Sequence, residues 1–184
     1  MSKLPTKFYA RPALKVAREL LGKTLVRKYR GKEYRGIIFE TEAYGSTNDP
    51  SSHAFRGKTE RTSVMFGQPG QAYVYFIYGM YFCFNVVTEI DGKAGAVLIR
   101  GVIPFKKHSN ILKNVGMFDP ANYINGPGKL CNYFHISKAQ NKLSLQSNKL
   151  WIENINLKPK QIKKTPRIGI KEVNPKFWRF VAIF

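Results

Sequence analysis

The sequence predicts an α+β fold: one compact domain over residues 1–184, with a mostly antiparallel sheet, flanking helices and a protruding β-hairpin. Three observations lead there. Strand-like stretches outnumber helical ones, and neighbouring strands are joined by tight turns, which is how antiparallel strands connect. A chain of 184 residues favours one domain, and a chain of that size buries roughly 70% of its unfolded surface. Its 43% hydrophobic content fits a folded globule, not a disordered tail.

The elements follow in order. "ARPALKVARELLG", residues 10–22, reads as a first helix, because Leu14, Ala17 and Leu20/Leu21 fall at helical spacing and Gly22 can stop it. "KTLVRKYRGKEYRGIIFETEAYG" reads as two strands joined around Arg30-Gly31-Lys32. Ser46 to Gln71 is polar and long for a connection, and such loops are functional or disordered. "AYVYFIYGMYFCFNVV", Ala72 to Val87, reads as strand, tight turn at Tyr78-Gly79-Met80, and strand. "GAVLIRGVIPF" is a further strand ended by proline. "FKKHSNILKNVGMFDPANY" carries weak helical signals, and "GPGKLCNYF" reads as a loop opening a short helix. "RIGI" and "FWRFVAIF" read as two terminal strands. No repeat, low-complexity block or linker interrupts the chain.

Charge is the informative part of the composition. Lys and Arg number 31 against 11 Asp and Glu, a net charge of +20. Solubility or a proteome-wide lysine bias is the plain reading of such a number; the sharper one is an anionic partner, and among those nucleic acid comes first. Basic residues occur in most segments, so a charged face on a folded domain is expected. Cys83 and Cys131 are far apart and neither belongs to a C-x-x-C pair, which argues against a disulfide framework or a zinc site. The start, "MSKLPTKFYARPALK", lacks the apolar core of a signal peptide. The aromatic stretch is too short to span a membrane and contains Asn85. A cytoplasmic location is expected, with nucleoid association in a bacterium.

The hairpin poses a question. Tyr73, Tyr75 and Ile77 share one strand face, Val74 and Phe76 the other. Burial in the core accounts for Phe76, Phe82 and Phe84, since aromatics suit strands. It does not account for Tyr78, Met80 and Tyr81 at a turn, where bulky residues are exposed and need a reason. In "IIFETEAYG", Glu40, Glu42 and Tyr44 point to one face of a regular strand. Two carboxylates there are costly unless arginines or water serve them. Taken alone, a core salt bridge for one and solvation for the other outweighs catalysis. His53, alone, reads as a surface loop histidine. "GPGKL" has Leu where a Walker A loop needs Ser or Thr, and no G-x-G-x-x-G or G-x-S-x-G occurs. His53, His108 and His135 show no metal-ligand spacing, and the H-x-E with P-C-x-x-C deaminase pattern is missing. No metal and no cofactor are expected.

These segments together resemble one family. "GIIFETEAYG", "SSHAFRGKTERTSVMFGQPGQAYVYFIYGMYFCFNVV", "GAVLIRG" and "GPGKL" occur in the order found in the alkyladenine (3-methyladenine) DNA glycosylases of the animal and bacterial type. The resemblance covers Ala10 to Phe134 well, and "RIGI" and "FWRF" after it. It implies a curved sheet and a monofunctional enzyme that removes damaged purines from double-stranded DNA by water attack, leaving an abasic site. It implies Glu42 as the general base, with Glu40 a non-catalytic neighbour. Tyr44, His53 and Tyr75 match walls that sandwich the extruded base, and Asn85 a floor residue that crowds the guanine 2-amino group. Tyr78 matches the plug that fills the gap in the duplex, with Met80 and Tyr81 beside it in the minor groove. Arg100 matches an arginine near the catalytic water and the target phosphate. A monomer is expected, because a lesion lacks two-fold symmetry. The Lys-rich "LKPKQIKKTPR" maps onto nothing in the family pattern. A damage-binding protein without activity is the alternative that charge and wedge would equally serve, and only Glu42 and His53 separate the two. A ribosomal-type RNA binder explains the charge but not the paired carboxylates.

Overall fold

A computed structural model describes residues 2–90, 92–106, 119–171 and 173–184. The spine is the thirteen-residue strand β3, Lys32–Tyr44. β6, Ala96–Pro104, runs antiparallel along one edge of it from Gly36 to Tyr44. The other edge is shared. β2, Thr24–Tyr29, pairs with residues Lys32 to Ile37, and β10, Arg179–Ile183, with Glu40 to Glu42. Among the described residues the strand order is β1-β8-β2-β3-β6-β5-β4, with every pairing antiparallel. Here β1 is Ser2–Lys3, β4 Ala72–Ile77, β5 Tyr81–Val87 and β8 Leu150–Asn154. β7, Ile124–Asn125, joins β6, and β9, Gln161–Thr165, joins β10. The result is the expected α+β architecture on a curled antiparallel sheet.

The β2–β3 connection closes at Arg30 (φ 47°) and Gly31 (φ 75°), two left-handed residues in the primed geometry that matches strand twist. The register of β3 against β6 slips on both sides of Glu40. Such a bulge bends a strand and re-aims a side chain, and it falls where the acidic residues lie.

Among the described residues the helices are α1, Thr6–Tyr9, α2, Ala13–Glu19, and α3, Pro127–Tyr133, of which α2 and α3 pack on the sheet. Val16, Ala17 and Leu20 of the α2 region and Leu130, Cys131 and Phe134 around α3 join Leu25, Ile37, Ile38, Phe84, Ile99 and Ile103 in the main core. Of the stretch 10–22 expected as a helix, Ala13–Glu19 forms one, α2, starting just after Pro12; α1 is a separate short helix that ends before the stretch begins. Proline disfavours helical geometry in the residue before it, and the Ala13 N–H is taken by the Glu89 carboxylate at 2.7 Å.

The long connection 46–71 is folded. A 3-10 turn at Ser63–Phe66 brings Val64 and Met65 into a second cluster with Ala54, Tyr73, Val87, Ala94 and Ala96. Other expectations need correction. β8 and β9 lie where none was foreseen. β9 is the middle of the Lys-rich run and reads as polar because it is an edge strand, paired among the described residues with β10 alone. "RIGI" is a turn, since Gly169 has φ 77° and its backbone leaves the ladder after Thr165. The terminal strand begins at Arg179, not Phe177. Phe76 is 50% exposed instead of core; β4 is the edge of the strand order, and near the tip the Phe76 ring packs against Phe82, 4.9 Å away ring to ring. Of the weak helical signal over 105–123, residues 107–118 and with them His108 lie outside the described residues. Pro120–Asn122 form a 3-10 turn capped by the Asp119 carboxylate.

Candidate active site

A cavity of about 550 Å³ opens between the β4–β5 hairpin, β6, the start of α3 and the turn at 168–170. Tyr44, His53, Tyr75, Tyr78, Tyr81, Asn85 and Arg100 all line it. Strand parity explains much of this: Tyr73, Tyr75 and Ile77 of β4 and Tyr81, Cys83 and Asn85 of β5 each face the same space. Of the residues expected at the site, Glu42 and Met80 are not in the lining.

Glu42 is fully buried one layer behind the wall. Its Oε1 accepts the Ile168 backbone N–H at 2.8 Å and faces Arg100 Nε at 3.5 Å. Its Oε2 accepts the Tyr44 hydroxyl at 2.9 Å. Arg100, Ile168 and Tyr44 are themselves cavity residues, so the carboxylate touches the cavity through its own hydrogen-bond partners. Burial pushes its pKa above the ordinary glutamate value, with a smaller push from Glu40; Arg100, the Ile168 N–H and the Tyr44 hydroxyl oppose this without cancelling it.

Glu40 is equally buried but differently served. Its Oε1 receives Arg179 Nε at 2.6 Å and Arg100 Nε at 3.1 Å. It does not border the cavity. Arg100 thus spans both carboxylates, and Arg179, which the sequence did not single out, secures the outer one.

The aromatic wall is tied together by hydrogen bonds. His53 Nδ1 lies 3.0 Å from the Tyr73 hydroxyl, and its ring meets Tyr75 edge-on at 4.7 Å. The Arg61 guanidinium sits 5.2 Å from the Tyr75 ring centre. Burial first, and the Arg61 cation second, lower the His53 pKa, so the imidazole is neutral near pH 7. Burial raises the Tyr75 phenol strongly, and its hydrogen bond with Cys83 adds to that. Asn85 is buried and donates its amide to the Tyr73 carbonyl at 3.1 Å, which fixes its orientation.

At the hairpin tip both Tyr78 (φ 55°) and Gly79 (φ 66°) are left-handed. Glycine takes that conformation freely, whereas a bulky aromatic does so at a cost of about 1–2 kcal/mol. Tyr78 is also 77% exposed, so packing in the free protein offsets little of that strain. Met80 is exposed beside it, and Tyr81 lies against α3. A Cβ on Gly128 would come within 2.8 Å of the Tyr81 ring, so the second glycine of "GPGKL" makes that approach possible.

Sequence reasoning missed Asp49, Arg61, Arg167 and Trp178. Arg167 and Asp49 form a buried bidentate pair at 2.7 Å on both arms. Partners so far apart in the chain leave no spacing signal. "RIGI" was the one hint, read as a strand.

Comparisons with known proteins agree along nearly the whole chain. A family model described as "Methylpurine-DNA glycosylase (MPG)" matches residues 7–183, well beyond the Phe134 limit of the clear motif match. A protein of Wolbachia pipientis subsp. Culex pipiens (strain wPip) is 49% identical over 96% of this chain and 88% of its own. One from Ehrlichia chaffeensis is 46% identical, over 97% and 92%. One from Rickettsia rickettsii is 46% identical, over 97% and 89%. All three carry the name "Putative 3-methyladenine DNA glycosylase".

Proposed function

The chain belongs to the methylpurine-DNA glycosylase family, and from that premise we propose that it turns single damaged purines out of duplex DNA into the cavity and cleaves them from the sugar with Glu42 as base. It is a DNA glycosylase, a hydrolase of N-glycosyl bonds that acts on alkylated bases. Among the described residues no helix is long and apolar enough to cross a membrane.

The observation that carries the finer reading is the pairing of a buried carboxylate with an aromatic cavity under an exposed aromatic tip. Extruding a nucleotide costs a few kcal/mol, less for a damaged base. Tyr78, left-handed and exposed on a protruding hairpin, fits a plug that takes the vacated place and offsets part of that cost. Tyr44, His53 and Tyr75 offer π-faces and edges to the extruded base, and π-faces favour the cationic 3-methyladenine and 7-methylguanine. Such cations leave without protonation. Neutral hypoxanthine and ethenoadenine need a proton on departure, and His53, neutral near pH 7, serves as a hydrogen-bonding specificity residue instead of supplying it.

Cleavage passes through an oxocarbenium-like sugar. An ionised Glu42 stabilises that charge and takes a proton from the attacking water. Arg100 holds the carboxylate from the cavity side, where it also meets the water or the target phosphate. Asn85, held by the Tyr73 carbonyl, crowds the 2-amino group of guanine; this works against undamaged guanine, whose neutral base is a poor leaving group, more than against 7-methylguanine, whose positive charge makes it depart readily. Met80 and Tyr81 flank the plug in the minor groove. The excess of positive charge serves phosphate contact along the duplex.

The test is incubation with methylated duplex DNA. Free 3-methyladenine and 7-methylguanine should appear while the strand stays intact until alkali is added. Tight lesion binding without base release would leave the binding-protein reading in place of this one.

A further inference from the structure

The Asp49–Arg167 pair lies outside every role assigned above, yet it is built with more care than a surface ion pair needs. Both side chains are essentially fully buried. Arg167 Nη1 also donates to the Ala43 carbonyl at 3.0 Å. Its guanidinium lies 4.7 Å from the Tyr44 ring centre and 5.3 Å from that of Trp178. Asp49 Oδ2 also accepts the Gly45 N–H at 2.9 Å, closing the chain just after β3. The Ala43 and Tyr44 contacts clamp Arg167 onto the end of β3 that carries Glu42, and Asp49 and Trp178 hold it there. The next residue is Ile168, whose N–H is the backbone donor to Glu42. The side chain of Ile168 is half exposed and Gly169 is left-handed with open space around it, so the turn has little anchorage of its own.

We propose that Asp49 and Arg167 are a positioning pair for Glu42: they fix the turn that holds the Ile168 N–H on the carboxylate. The proposal rests on Glu42 being the base. Arg167 touches no reacting atom. It acts through a one-residue link of backbone and through the face of Tyr44, whose hydroxyl holds the other carboxylate oxygen. A hydrogen bond to the ionised carboxylate favours the ionised form. The pair therefore helps keep Glu42 ionised at working pH, despite its burial.

The charged and titratable groups around Glu42 are few. Glu40 and Tyr44 stand on its own strand, Arg100 on β6, Arg179 on β10 paired opposite it, Cys83 on β5, and Arg167 beside the turn. Losing the Ile168 N–H leaves all of these but Arg167 in place, so the effect of the pair can be isolated.

The experiment is single-turnover release of 7-methylguanine from duplex DNA as a function of pH. This lesion leaves without protonation, so the acid limb reports the base. Wild type, Glu42→Gln, Arg167→Lys, Arg167→Met and the double variant Asp49→Leu/Arg167→Met are compared, each corrected for its folded fraction. The double variant removes both buried charges together, which spares the fold the burden of a lone buried ion. In Arg167→Met and the double variant the acid limb should move up by about one pH unit, tenfold in ionised base at acid pH. Affinity for the lesion duplex should change little, and Arg167→Lys should recover part of the shift. If the wild-type limb survives Glu42→Gln, the base assignment fails and this inference with it. If Glu42→Gln abolishes the limb but both pair variants keep the wild-type midpoint, the pair is structural only and the inference alone is overturned.

Discussion

β3 takes part in an ion-pair cluster at each end, with Arg35 at one and Glu40 and Glu42 at the other, and among the described residues only the second borders the cavity described above. At the first, Arg35 pairs with Glu153 and with Glu33, and the Trp151 indole N–H donates to the second Glu153 oxygen at 3.1 Å. At the second, Glu40 and Glu42 share Arg100, with Arg179 added on Glu40 alone. Both clusters satisfy their carboxylates. What differs is access. Nothing in the first touches the cavity, whereas each hydrogen-bond partner of Glu42 lines it. A buried carboxylate is thus no sign of catalysis in itself. The sign is a carboxylate kept from full neutralisation, raised in pKa, beside a space that a charged transition state can occupy.

That contrast can be broken or sharpened in several ways. Removing one partner from a buried pair is strongly destabilising. Glu153→Gln should therefore cost about 3–5 kcal/mol in urea unfolding. Excision per folded molecule should stay near wild type, and a parallel loss of rate would mean that the two clusters are coupled.

The hairpin tip should behave in the opposite sense. Stacking of a base on an aromatic ring contributes about 1–3 kcal/mol, so Tyr78→Ala should weaken binding to an abasic-site duplex by roughly 5- to 150-fold without unfolding the protein. Tyr78→Asn should go further and raise stability by about 1 kcal/mol, because asparagine tolerates the left-handed backbone. Unchanged abasic-site affinity in either variant would remove the plug from the account.

Asn85→Ser opens space on the cavity floor. Discrimination by shape in a pocket of this kind is worth about 1–3 kcal/mol. Excision of undamaged or mismatched guanine should therefore rise relative to hypoxanthine, and an unchanged ratio would move discrimination to His53.

The smallest effect is one of sign. Glu42 has a folded-state pKa above its unfolded value. The folded state therefore binds more protons between the two, and stability falls as pH rises through that window. The stability of wild type relative to Glu42→Gln should drop as pH rises from about 4.5, the ordinary glutamate value, and level off once the folded carboxyl is ionised. A flat profile above about 4.5 with a rise below it would mean a lowered pKa and a carboxylate already tied up as an ion pair.

Much of this was legible in the chain. Alternation in "AYVYFI" and "YFCFNVV" marks the hairpin and separates cavity-facing tyrosines from the rest, because strand parity is local. Alternation put Glu42 on one face with Tyr44 for the same reason, whereas the place of Arg100 beside them came from the family resemblance. What could not be read are features set by long-range closure. Asp49 meets Arg167, and the Ile168 N–H meets Glu42, only because β10 pairs on the same edge of β3 as β2. "RIGI" looks like a strand by composition, and only the left-handed Gly169 and the demand of Glu42 for a donor make it a turn. Phe76 looked like core because composition does not say which strand is the sheet edge.

The central claim is that the cavity-side carboxylate does the chemistry and its counterpart at the other end of β3 does not. The most direct test is single-turnover release of 7-methylguanine by Glu42→Gln, with affinity for the lesion duplex measured on the same protein. A loss of roughly 10²- to 10⁴-fold in rate, at near wild-type affinity and with the fold intact, is the expected result. A rate within a few-fold of wild type in the folded Glu42→Gln protein would contradict it.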